Sequence, residues 1–161
     1  MIQIRNGVFE TNSSSVHAMI ITDAKVKPGS VVHFGIGEFG WEKEIYTTTN
    51  EKATYFYTAA LCCHGNVVNK IIKTMLEPYG VRCEFDEAVF NKYGLEYGHV
   101  DHGYEAIDFV DALLSDVDML IRFLFSDESF VVTSNDNEWD NSFIENATKV
   151  DYPHTEFTKG N

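Results

Sequence analysis

A single α+β domain, with an antiparallel sheet containing an N-terminal strand meander packed against three or four helices, is predicted by three observations. Apolar residues recur with period two before about Asn50 and at helical spacing after it. Turn-forming clusters, of which Lys27-Pro28-Gly29 is the clearest, separate the early apolar runs. A chain of 161 residues is long enough to bury roughly 70% of its unfolded surface in one core and short for two domains. The domain is placed at residues 1–140. The low apolar content and missing period after it predict a surface arm or flexible tail at 141–161.

In chain order, residues 2–10, 17–23 and 31–35 read as three successive strands, hence the meander. Glycines at 35, 37 and 40 make a loop, and Trp41 to Tyr46 mixes apolar and charged residues as a strand or an irregular arm. Ala53, Phe56, Tyr57, Ala60 and Leu61 fall at helical intervals over 51–63, with Asn50 as N-cap and Gly65 as stop. A second helix over 66–78 carries Val67, Val68, Ile71, Ile72, Met75 and Leu76 on one face, read as an ordinary core stripe, with Asn66 as its cap. Val81 to Phe85 alternates like a half-buried strand. Ile107, Val110, Leu113 and Leu114 mark a short helix, and Ser115 is positioned to cap another over 116–126. Phe130 to Thr133 reads as a strand entering the turn Ser134-Asn135-Asp136-Asn137.

The net charge of -13 is placed unevenly. Residues 1–81 hold seven Lys and Arg against seven Asp and Glu, whereas residues 82–161 hold five against eighteen. This argues against direct binding of a nucleic-acid backbone, which needs a basic footprint. It suits a protein partner with a basic surface, and Glu84, Asp86, Glu87, Asp108 and Asp111 are the candidates to meet it. Solubility is the plain alternative. The start M-I-Q-I-R-N lacks the pattern of a signal peptide, no run approaches the roughly 20 apolar residues of a membrane span, and three cysteines form no disulfide framework. A cytoplasmic protein without membrane contact is expected.

Glu10 to His17, E-T-N-S-S-S-V-H, is polar at seven of its eight positions and lies between two apolar runs. It is predicted at the tip of a hairpin-like connection, where Glu10, Asn12, Ser13, Ser14, Ser15 and His17 would present a carboxylate, an amide, hydroxyls and an imidazole to one point. Three further blocks share its polar character: G-E-F-G-W-E at 37–42, G-H-V-D-H-G at 98–103, and F-S-D-E-S-F-V-V-T-S-N-D-N at 125–137. In this order the blocks resemble an uncharacterised family of bacterial and bacteriophage proteins. The resemblance implies a bacterial or phage cytosolic protein and no particular reaction. This chain departs from the pattern at Gly103 and Tyr104, where a glutamine or glutamate and a serine are expected after the Asp-His pair.

All four blocks place polar residues at strand ends or loops. If the strands are neighbours, Glu10, His17, Glu42, Asp101, His102 and Asp136 supply carboxylates and imidazoles of the kind used in general acid–base work or in binding a divalent cation, with Glu10, His17, Asp101 and His102 as the catalytic set. Each block also has a local explanation. Asn12 and the serines can satisfy turn backbone, Asn135 to Asn137 can turn a hairpin, and Asp101 can serve only to orient His102. Cys62-Cys63-His64, Cys83, His99 and His102 lack the spacing of a structural zinc site, because adjacent cysteines on a helix point about 100 degrees apart. No metal is expected, and nothing identifies a cofactor. G-I-G-E-F-G at 35–40 lacks the helix start of a phosphate-cradling loop.

Two functional readings follow, with a purely structural or regulatory protein as the third. The first is an acidic, anti-CRISPR-like interaction protein that inhibits a host nucleic-acid-directed defence system by occupying a basic groove. The second is a small enzyme or a nucleotide- or metal-binding protein using the Glu10–His17 tip with Asp101 and His102. Whether the four blocks meet at one place separates them.

Overall fold

The computed structural model describes residues 15–101, 106–135 and 155–159. The predicted α+β architecture is present, with four α-helices and a mainly antiparallel set of strands among the described residues, in one compact unit. The principal sheet has the order β10–β1–β9–β4, formed by Thr155–Lys159, Ser15–Ile21, Phe130–Asn135 and Glu44–Tyr46, with every pair antiparallel. Three smaller pairs surround it. β2 (Val31–Phe34) runs parallel to β5 (Arg82–Phe85), β3 (Glu38–Phe39) parallel to β8 (His99–Val100), and β6 (Phe90–Asn91) forms a hairpin with β7 (Gly94–Leu95).

Helix α1 (Thr49–His64) runs through the middle of the core. Tyr55, Phe56, Tyr57, Ala59 and Ala60 are all fully buried, so apolar contact surrounds the helix rather than one stripe of it. It packs against α2 (Val67–Leu76), α3 (Ile107–Ser115), α4 (Val117–Phe125) and strands β2 and β8. Aromatic edges interlock there: Phe109 lies edge-on to Phe56 and Phe123, and Phe39 edge-on to Tyr55 and Tyr46.

The helix starts differ from the sequence reading in an instructive way. Thr48, not Asn50, caps α1, closing a capping box in which Thr48 Oγ1 accepts from the Glu51 amide and the Glu51 carboxylate accepts from the Thr48 amide. The Asn50 side chain turns outward instead and accepts from the His33 amide at 3.1 Å, tying α1 to β2. Asp116 rather than Ser115 caps α4, accepting from the Met119 amide at 3.0 Å, while the Ser115 hydroxyl donates back to Ala112. Gly65 stops α1 as expected. Asn66 precedes α2, but its side chain makes no capping bond.

Two topological expectations are corrected. β1 and β2 belong to different sheets, so consecutive strands here do not form a meander; residues 2–10 lie outside the described residues. Thr155–Lys159, assigned from sequence to an arm or tail, is an edge strand paired along β1 from His17↔Lys159 to Ile21↔Thr155. Sheet pairing gives this segment its place: Thr155, Phe157 and Thr158 suit a strand, but a five-residue run in a polar stretch leaves no long periodic trace.

Candidate functional site

The site is built on the central strand. β1 extends to Ser15, so Ser15, Val16 and His17 are strand residues, and the predicted exposed tip is corrected there. His17 lies opposite Thr133 of β9 and is fully buried. A buried imidazole needs hydrogen-bond partners, and Tyr55 of α1 supplies one, its hydroxyl 2.8 Å from His17 Nδ1. Tyr55 is also fully buried, and desolvation pushes its phenol far above the ordinary range, so it stays neutral. The same hydroxyl contacts Met19 Sδ at 3.9 Å.

Glycine is required where the blocks meet. Gly40 has φ +108, and a Cβ there would sit 2.8 Å from Asp101 Cβ and 3.1 Å from His17 Nε2. His17 of the first block and Asp101 of the third therefore close in on Gly40 of the second. Strand β3 sets this approach: Glu38 pairs with His99 and Phe39 with Val100, and the Asp101 amide donates to the Phe39 carbonyl at 2.9 Å. The fourth block joins through β9, which pairs along β1 from Ser15↔Asn135, and through the Thr133 hydroxyl, which donates to the Glu42 carbonyl at 3.2 Å. Glu42 thus contributes its backbone, and the residue is exposed.

Of the predicted catalytic set, His17 and Asp101 come together, and Glu10 and His102 lie outside the described residues. Asn12, Ser13, Ser14 and Asp136 also lie outside them, and only the backbone of Ser15 is described. The solvent-facing imidazole is instead His99. Its side chain is 51% exposed, its Nε2 lies 3.8 Å from Asp101 Oδ1, and its ring stacks on Trp41 at 6.0 Å between centroids. The alternation H-V-D at 99–101 carries this signal, with buried Val100 forcing His99 and Asp101 to the other side of the strand. Sequence reasoning considered His99 only as a metal ligand.

The acidic residues separate into two places. Asp86 and Glu87 border an open groove of about 530 Å³ with Glu38, Glu96 and Tyr97. Asp86 is partly committed to the fold, since Oδ1 meets His33 Nε2 at 2.8 Å and Oδ2 accepts from the Ile36 amide. Glu84 is not part of this groove and pairs with Arg82 at 2.7 Å. Asp108 and Asp111 line a second groove between α2 and α3, where His64 Nε2 meets Asp111 Oδ1 at 2.7 Å. Glu38 and Glu96 were not among the sequence candidates.

The cysteines are ill suited to nucleophilic work. Cys62 is exposed, Cys63 and Cys83 are partly exposed, and none of the three is in a disulfide. Burial pushes the Cys83 thiol up to about 11, which keeps it protonated. Among the described residues, no group of three or more His, Cys, Asp and Glu could hold a metal ion, and no helix is long and apolar enough to cross a membrane. No family model matches the chain, and no curated protein or solved structure matches it.

Proposed function

We propose that this chain is an acidic interaction protein that binds a basic protein surface. The supporting observation is the groove in which Glu38, Asp86, Glu87 and Glu96 surround an opening without a Lys or Arg among its lining residues, beside a Tyr97 that is 69% exposed. Carboxylates around a concave opening steer a cationic partner, and an exposed aromatic ring adds contact area to the same encounter. Combined with the bacterial and phage resemblance of the four polar blocks, the reading extends to an antagonist of a nucleic-acid-directed defence system. Its carboxylates would occupy a groove meant for phosphates.

The test uses a fluorescent deca-arginine peptide as a stand-in for the basic surface. Binding weakens about tenfold or more between roughly 50 and 300 mM salt, because charge attraction is screened over about 8–10 Å near physiological ionic strength. Glu87→Lys with Glu96→Lys weakens it further, whereas Asp23→Lys, outside the groove lining and 85% exposed in its long contact with Arg122, leaves it unchanged. Glu51, equally acidic, is a poor control because it holds the α1 cap. Binding indifferent to salt and to both reversals overturns the reading.

A second reading, a small enzyme or ligand-binding protein, is favoured by the approach of His17 and Asp101 to Gly40, which brings described residues of three blocks together. In that case Asp101 and His99 are the accessible acid–base pair and buried His17 a positioning residue behind them. A substrate screen in which Asp101→Asn removes turnover, while the groove reversals leave it intact, selects this reading over the first.

A further inference from the structure

The groove between α2 and α3 is different in kind from the acidic one. Its volume is about 640 Å³, and its floor is formed by Val67 and Ile71 of α2 with Ala112 and Leu114 of α3. Val67 and Ile71 are four residues apart and share one face of α2. They are not the core face, since Val68, Ile72 and Leu76 fill that role. Helix α2 therefore carries a second apolar row, and Val67 at its start is 55% exposed. Across from it, Asp108 and Asp111 stand three residues apart on α3, at the rim of the same groove.

We infer that this groove docks a cationic amphipathic helix from a partner protein. Two helix faces with an apolar trough between them match the mode in which a third helix lays its apolar side chains at i, i+3, i+4 and i+7 into a groove. The rim sets the charge of that helix: Asp108 lines it without a Lys or Arg among the lining residues, while the Asp111 carboxylate is already engaged by His64 of the same groove at 2.7 Å. A second copy of this chain, with its net charge of -13, would approach this rim against overall repulsion. The inference goes beyond the acidic-groove reading and uses different residues, so the two can fail separately.

The probe is a synthetic Leu/Lys peptide of roughly 18 residues, about five helical turns, compared with a scrambled peptide of the same composition. The amphipathic peptide binds at least about tenfold more tightly than the scrambled one, a gap of roughly 1.4 kcal/mol. Val67→Lys and Asp108→Lys, at exposed positions and checked by circular dichroism for retained fold, each weaken it. Glu87→Lys with Glu96→Lys leaves it within about twofold, as distant independent sites do. Equal binding of both peptides, or loss through the Glu87 and Glu96 reversals alone, overturns the helix-docking inference while leaving the charge reading standing. Sedimentation that shows a dimer dispersed by Val67→Lys overturns it in favour of self-association. If deca-arginine fails to bind while the amphipathic helix binds normally, the acidic-groove reading falls and this inference stands.

Discussion

His17 Nδ1 and the Tyr55 hydroxyl meet at 2.8 Å in a part of the core where neither residue reaches solvent. The contact joins the central strand to the central helix, and it redefines what a substitution at His17 measures. At an exposed tip, His17→Ala would cost less than about 1 kcal/mol. In the core it leaves a cavity and should cost about 2–5 kcal/mol, the range of large-to-small core changes. Tyr55→Phe removes the hydroxyl alone and should cost about 1–3 kcal/mol, because a buried ring nitrogen loses a partner. Urea unfolding of both variants checks this, and a His17→Ala protein as stable as the parent contradicts the buried placement.

Gly40 allows a sharper comparison. Both Gly40 (φ +108) and Gly94 (φ +124) hold backbone that favours glycine, but an added Cβ meets Asp101 and His17 at Gly40 and open space at Gly94. Alanine at Gly94 therefore reports backbone strain alone, about 1–3 kcal/mol. Alanine at Gly40 adds overpacking, and its loss should exceed that of Gly94→Ala by about 1–3 kcal/mol. Thermal unfolding of the two variants side by side measures the difference. Equal losses would mean that Asp101 and His17 do not close on Gly40.

The parts legible in the sequence were those governed by local pattern. The change of apolar period near Asn50 located α1 and α2, and the alternation at 82–85 located β5, because burial on one face leaves a periodic trace. The cap of α1 was legible too: Thr48 and Glu51 form the T-x-x-E signature, and Asn50 drew attention away from it. Strand partners were not legible. β1 pairs with segments more than a hundred residues away, and register across such separations is set by packing rather than by local composition. For the same reason His17 read as exposed. A polar residue one step beyond six consecutive polar side chains looks like a loop until Tyr55, 38 positions on, supplies the partner that allows its burial. Of the blocks' convergence, the described residues supply the approach of His17 and Asp101 to Gly40, which rests on the β3–β8 pairing and is not written in local composition.

Lys52 gives a pH-dependent test of the core. It is 1% exposed on α1, and its ammonium donates to the carbonyls of Ser126 at 2.6 Å and Ser129 at 3.0 Å, fastening α1 to the turn between α4 and β9. Burial lowers its pKa from 10.5 to about 8, against the smaller opposing pull of Asp127 and Glu51. The folded value lies below the unfolded one, so between pH 8 and 10.5 the unfolded chain holds more protons. This group's contribution therefore makes the fold more stable as pH rises across that window, by no more than about 3 kcal/mol. Tyr46, Tyr55 and Cys83 titrate at the alkaline end, their values raised by burial, and act in the opposite direction. The informative quantity is thus the difference between the parent and Lys52→Met, in which those groups cancel. Chemical denaturation at pH 7.5, 9 and 10 should show the parent gaining stability relative to Lys52→Met at each step. A difference that stays flat or shrinks with pH would show that the Lys52 ammonium is not held in a desolvated site.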